Sequence, residues 1–129
     1  VQDGARPLVT PVLIDQVVEA AARCGAAAPA IPMKDTIKTV TAEGAVTGTP
    51  DRSILRAVQT PQVFEADLLK AALQSALENE IPVTDDCSAV ERLGKVVYLI
   101  DGNEENLKIT TPMDLVVAEA ILAEREARR

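Results

Sequence analysis

Residues 10–31 read TPVLIDQVVEAAARCGAAAPAI, and this stretch decides the fold class. Thr10 followed by Pro11 is an N-cap with proline at the first helical position, where its missing N–H costs nothing. Val12, Leu13, Ile14, Val17, Val18, Ala21 and Ala22 then form an apolar face that ends at Gly25. Directly behind it, the short apolar run from Ala26 to Ile31 predicts a buried strand. A helix passing straight into a buried strand is the unit of a layered α/β protein.

Working outward, Lys34 to Pro50 is rich in Thr and Val. Its segments Thr36–Thr41 and Val46–Thr49 flank Ala42-Glu43-Gly44-Ala45, which predicts a hairpin polar enough to stand off the body as an arm. Ile54 to Val58 reads as a strand or short helix that ends before Pro61, since proline cannot donate to a ladder. Leu68 to Leu77 is an amphipathic helix. After Pro82 a shorter helix is expected, with Thr84 as its cap and Asp85 and Asp86 in its first turn. Val96 to Ile100 predicts a buried strand and Leu107 to Ile109 a second, short one. Thr111-Pro112-Met113-Asp114 then opens a last helix running towards Arg128. Strands alternating with helices predict one domain over residues 1–129 with an open α/β sheet, and an arm at about 34–51.

Composition limits the functions open to such a domain. Aromatic residues are 2% of the 129, so the core is expected to consist of Val, Ile, Leu and Ala, with Phe64 and Tyr98 as its rings. A net charge of −7 argues against nucleic acid or an anionic membrane as partner, because both require clustered Lys and Arg. No apolar run approaches the roughly 20 residues of a membrane span, and no signal-peptide layout is present, which predicts a soluble protein. Cys24 and Cys87 have neither a disulfide framework nor metal-ligand spacing, so reduced thiols in the cytoplasm are expected. Without His there is no His-based triad or zinc site, and no Gly-rich phosphate loop occurs in the chain.

What remains is a set of polar residues at predicted strand ends, where open α/β sheets place their ligands. Asp3 and Arg6 flank one such end, closed by Pro7. Asp35, Thr36 and Lys38 lie at the base of the hairpin and Arg52 at its return. Thr60 ends another strand, Thr84 begins a helix, and Lys108 precedes the last one. Taken singly, each has an ordinary reading as a solvated charge or a helix cap.

Together these segments resemble the 2-C-methyl-D-erythritol 4-phosphate cytidylyltransferases in both order and spelling. Val1-Gln2-Asp3-Gly4-Ala5-Arg6-Pro7 is similar to that family's V-x-D-A-A-R-P, and Lys34-Asp35-Thr36-Ile37-Lys38 to its D-T-I/M-K. Asp51-Arg52 follows, then Thr60-Pro61-Gln62-Val63-Phe64, similar to T-P-Q-x-F. Thr84 to Glu91 resembles T-D-D/E-x-S-x-x-E, and Asn106 to Leu115 resembles N-I-K-I-T-x-P-E-D-L. The six matches span nearly the whole chain.

The resemblance implies a Rossmann-like nucleotidyltransferase sheet whose hairpin arm makes a homodimer. The implied reaction transfers CMP from CTP to 2-C-methyl-D-erythritol 4-phosphate, releasing pyrophosphate, in isoprenoid precursor biosynthesis. Asp3 would be the Mg²⁺ ligand. Arg6, Thr36, Arg52, Thr60, Thr84 and Lys108 would contact the acceptor, with Arg52 and Lys108 orienting the attacking phosphate as catalytic residues. Gly4 stands where the family has Ala, and Met113 where it has Glu. The family's Gly-rich nucleotide loop lies upstream of V-x-D and is absent from these residues. The opening at Val1 reads as an interior start, so the chain is expected to be the C-terminal, acceptor half of the enzyme, inactive on its own. Two other readings are a ribitol-phosphate cytidylyltransferase, whose relatives resemble S-D-A-C where this chain has Thr84-Asp85-Asp86-Cys87, and a dimerising fragment that catalyses nothing.

Overall fold

The computed structural model describes residues 1–129. Its elements run α1 (Pro11–Cys24), β1 (Ala26–Pro32), β2 (Thr39–Val40), β3 (Val46–Gly48), a 3-10 turn (Arg52–Ile54), β4 (Arg56–Val58), β5 (Val63–Phe64), α2 (Ala66–Glu78), α3 (Asp86–Arg92), β6 (Tyr98–Asp101) and α4 (Pro112–Ala127). The opening helix forms as its sequence dictates. The Thr10 hydroxyl accepts from Leu13 N, Pro11 occupies the first turn, and Gly25 closes the helix at φ 90°, a backbone conformation that favours glycine.

β1 is the centre of the sheet and is buried from Ala26 to Ala30. On one edge it runs parallel to β6, from Ala27 opposite Tyr98 to Ala30 opposite Asp101. Its other edge is shared by two short antiparallel strands, β5 against Ala26 and Ala27 and β4 against Ala30 to Pro32. Alternation along β1 serves two layers. Ala27 packs with Leu13, Val17, Ala20 and Ala21 of α1. Ala26, on the opposite face, packs with Ala72 of α2 and with Ala89 and Val90 of α3. Alanines at these positions let helices approach both faces closely, giving a three-layer α/β arrangement.

Pro29 sits between the two antiparallel partners of β1. Its carbonyl accepts from Gln59 N at 2.8 Å, so its nitrogen faces that same edge. The donor that proline lacks would have pointed into the break between β4 and β5, where residues 59–62 leave the sheet. The break in the ladder therefore coincides with a residue that could not have filled it.

The hairpin is present as a separate two-stranded sheet. Thr39 lies opposite Gly48 and Val40 opposite Val46, with a register shift between the pairs. It is shorter than the sequence pattern predicts, and Val40 and Val46 are exposed.

Other elements differ from expectation. The cap of α3 is Asp85 and not Thr84: the Asp85 carboxylate accepts from Ser88 N, and the Asp85 amide donates to Ser88 Oγ. A reciprocal capping box satisfies two free amides, which a Thr84 hydroxyl one residue earlier would not match. Leu107–Ile109 does not form a strand, because one backbone bond, Ile109 N to Ala5 O at 2.8 Å, is all that ties it laterally. The strand expected at Val96–Ile100 begins at Tyr98, on the edge of the sheet. Tyr98 is 56% exposed and so is not a core ring; Phe64 packs beside the alanine cluster as expected.

α4 opens on the predicted signal, a capping box between Thr111 and Asp114 with Pro112 in the first turn, yet it buries Ala118 alone. What ties it down is polar. Arg125 donates to Leu8 O at 3.0 Å and pairs with Glu105 at 3.1 Å.

Two of these contacts can be tested directly. Gly102 packs so closely that an added Cβ would stand 2.5 Å from Gln59 Oε1 and 3.2 Å from the backbone of Ala30. Gly102→Ala should therefore cost about 1–3 kcal/mol in urea unfolding, and an unchanged midpoint would contradict the packing. The backbone amides of Thr110 and Thr111, assisted by their hydroxyls, hold the Asp114 carboxyl below its ordinary 3.8. A depressed folded value means the cap contributes stability above the unfolded pKa and loses it as pH falls through the folded one. The Thr110 and Thr111 amide resonances should thus report an Asp114 titration below 3.8; a midpoint at or above that value would contradict the cap.

Candidate functional site

The loop 59–62 leaves the sheet at the break beside Pro29, and polar side chains from distant parts of the chain gather around it. Val1 exchanges backbone hydrogen bonds with Gln62, its N donating to Gln62 O at 2.7 Å and its O accepting from Gln62 N at 2.9 Å. The chain then turns, with Arg6 N donating to Asp3 O at 3.0 Å. This places Asp3 over Thr60, whose hydroxyl accepts from Asp3 N at 3.1 Å and donates to Gln2 Oε1 at 3.1 Å.

Asp3 is the electrostatic centre of the group. Its Oδ1 accepts from Ala5 N at 2.9 Å and its Oδ2 lies 3.6 Å from Lys108 Nζ. The Ala5 amide above all holds the carboxyl below its usual range; burial opposes it, and the nearby Lys108 and Arg6 add to the lowering. Lys108 and Asp3 are 52% and 32% exposed, so their pairing is weak and Lys108 is free to move towards an incoming anion.

Arg6 is held quite differently. Its guanidinium donates to Asn106 O at 2.6 Å and is within 3.5 Å of Val58 O. Burial pushes its pKa down, with Asp3 opposing; a guanidinium keeps its proton regardless.

Asn106 is 1% exposed and Gln59 is 4% exposed. The Asn106 amide donates to Thr60 O at 2.9 Å and to Gln59 Oε1 at 3.3 Å. Gln59 in turn donates to Asn103 O at 2.9 Å and accepts from Asn103 N at 3.3 Å. Gln62, also buried, donates to Asp85 Oδ2 and accepts from Cys87 N, both at 3.1 Å, and so ties the loop to the start of α3.

Of the residues named from sequence, Asp3, Arg6, Thr60 and Lys108 thus come together. Thr84 is exposed, its hydroxyl 3.5 Å from Ser88 Oγ, and reaches the group only indirectly through Asp85 and Gln62. Thr36 and Arg52 stay with the arm: Arg52 donates to Lys34 O, and no hydrogen bond or ion pair joins either residue to Asp3, Arg6, Thr60 or Lys108. Sequence reasoning assigns no role to Gln59, Gln62 and Asn106, although all three lie within the quoted motifs or beside them. The available signal is two glutamines enclosing Thr60-Pro61 between apolar strands, a position where an amide is expected to be buried and bonded.

The donor set bears on a metal. No group of three or more Asp, Glu, His or Cys is close enough to hold an ion. Asp3 supplies one carboxylate beside a lysine, which suits an ion that keeps most of its shell from phosphate and water, as Mg²⁺ does, and does not suit a closed protein cage. Cys87 is not poised for chemistry. Cys87 is buried, and burial beside Asp85, Glu91 and Asp86 pushes its thiol up to about 12. Iodoacetamide at pH 8 should therefore label the exposed Cys24 of the folded protein and spare Cys87; equal labelling would contradict that burial.

The family model for 2-C-methyl-D-erythritol 4-phosphate cytidylyltransferase matches residues 1–124. Two curated proteins of that name are similar to the chain. The one from Desulforamulus reducens is 51% identical over 125 residues, 97% of this chain and 53% of that protein. The one from Nocardia farcinica is 52% identical over 128 residues, 98% of this chain and 54% of that protein. Among solved structures, the cytidylyltransferase of the same name from Thermus thermophilus superposes with a TM-score of 0.86 at 41% identity, covering 95% of this chain and 60% of that one. The 4-diphosphocytidyl-2C-methyl-D-erythritol synthase from Anaerococcus prevotii gives 0.85 at 33% identity, covering 95% and 57%. The chain spans about half the length of the curated relatives it matches. It belongs to the 2-C-methyl-D-erythritol 4-phosphate cytidylyltransferase family.

Proposed function

We propose that the protein of this family to which these residues belong transfers CMP from CTP to 2-C-methyl-D-erythritol 4-phosphate, and that the site around Asp3 receives the acceptor. The observation that carries the reading is the convergence of Asp3, Arg6, Thr60 and Lys108 on one loop from widely separated positions. In a chain of net charge −7, a fixed Arg and a movable Lys that both lie near Asp3 favour an anionic ligand.

In the reaction, an oxygen of the acceptor's 4-phosphate bonds to the α-phosphorus of CTP as the bond to pyrophosphate breaks. Such a transfer asks the protein for aim and charge neutralisation and for no covalent group. Lys108 is suited to aim: its ammonium leaves Asp3 for the phosphate, a charge-assisted contact of roughly 1.5–3 kcal/mol. Thr60 offers a hydroxyl to the polyol, and Arg6 gives the pocket a permanent positive wall. Asp3 would hold Mg²⁺, which when bound offsets the charge of the triphosphate. Thr84 would close the pocket from the start of α3.

Thr36 and Arg52 lie on the arm, apart from this group, and are assigned to the pocket of a second subunit. The arm would thereby make a homodimer part of the site, with Arg52 sharing the aim of the phosphate with Lys108. The exposed apolar residues Val40, Val46 and Ile54 on and beside the arm support that assignment. The two free cysteines support a reducing, cytoplasmic setting.

The test is pyrophosphate release by the protein as it is translated, with CTP and the acceptor. Arg52→Ala and Lys108→Ala should each lower turnover by about 10²-fold, the loss expected when a reacting phosphate is mis-aimed. Near-normal kinetics in both would contradict the assignment.

A further inference from the structure

From the buried bonds around Thr60 we infer that Gln59 and Asn106 form an amide pair that positions Thr60, Arg6 and Lys108 for the acceptor. This inference rests on the function proposed above. The pair joins three segments that are remote in sequence. Asn106 Nδ2 fixes the carbonyl of Thr60 at 2.9 Å, and these side-chain bonds locate the Asn106 backbone carbonyl, which accepts from the Arg6 guanidinium at 2.6 Å. Through Gln59, bonded at both ends of its amide to the backbone of Asn103, the pair anchors the loop that leads two residues past Asn106 to Lys108. The side chains meet directly, Asn106 Nδ2 donating to Gln59 Oε1 at 3.3 Å.

An ordinary buried pair would explain satisfied bonds and nothing more. Three features go further. Every residue that the pair grips is, or leads straight to, a residue of the proposed acceptor site. Gly102 lies so close to Gln59 that an added Cβ would stand 2.5 Å from its Oε1, so the space the amide occupies depends on there being no side chain at that position. Two buried atoms are also left without a partner, Arg6 Nε and Asn106 Oδ1, one a donor and the other an acceptor. Buried groups left unbonded are costly, so their presence in this cluster calls for a reason other than stability. The pair touches no substrate in this arrangement; it acts through Thr60, Arg6 and Lys108.

The experiment is steady-state kinetics of the translated protein carrying Asn106→Ala or Gln59→Met, run well below the melting temperature of each variant and beside the parent. Positioning predicts an acceptor KM raised or a turnover lowered by at least about 10-fold, while the KM for CTP stays within about 2-fold, since the loss is one of aim. Using two variants keeps the result readable if Asn106→Ala does not fold, because methionine fills the volume of Gln59 without its bonds. A purely structural role would lower the melting temperature and leave the kinetics at low temperature unchanged in every folded variant, which would overturn the inference. A KM for CTP raised as much as that for the acceptor would overturn it too. If the parent itself released no pyrophosphate, the proposed function would fall and this role with it; an active parent with unaffected variants would sink the positioning role alone.

Discussion

The arrangement of this molecule depends on a place in its central strand where no hydrogen bond can be donated. β1 is buried over five residues and is flanked on both faces by helices, so nearly every polar backbone group on it must find a partner in a neighbouring strand. At Pro29 there is no N–H to satisfy. The antiparallel edge can break there without leaving an orphan, and the chain between β4 and β5 leaves the sheet through that break. Gln59, Thr60 and Gln62 are thereby directed at three other segments: the turn containing Asp3 and Arg6, the loop ending at Lys108, and the start of α3.

The charges around that loop are held in two contrasting ways. Arg6 is half-buried and bonded to backbone carbonyls, so it gives a fixed direction. Lys108 is exposed and attached to Asp3 by a contact of 3.6 Å, so it gives an adjustable one. A site that must aim a phosphate benefits from both, a rigid wall against which the ligand is set and a mobile charge that follows its oxygens. Asp3 serves both arrangements, through the turn that its carboxylate closes with Ala5 and through its pairing with Lys108.

Much of this is legible in the sequence because it is local. Thr10-Pro11 and Thr111-Pro112 announce their helices, Gly25 its C-cap, and Ala26 to Ile31 the central strand, since caps and periodicity act within a few residues. The residues that converge on Thr60 are legible through motif resemblance, each motif being a short piece of the site. What fails to show is non-local. The single bond from Ile109 to Ala5 is too little to make Leu107–Ile109 a strand, and the apolar look of Val96 to Ile100 says nothing about its place at a sheet edge. Asp85 outcompetes Thr84 as a cap because Ser88 answers it three residues on, a signal present in the sequence beside a more conspicuous threonine. The roles of Gln59 and Asn106 are hidden because their bonds span 44 to 47 residues.

The central claim is that the loop at Thr60, with Arg6 and Lys108 beside it, receives the acceptor. The most direct measurement is a crystal structure of the translated protein soaked with 2-C-methyl-D-erythritol 4-phosphate. The account predicts the ligand over Thr60, with Lys108 turned from Asp3 to its phosphate and Asn106 still bonded to Thr60 O. A ligand bound elsewhere, with the Lys108–Asp3 contact intact, would contradict it.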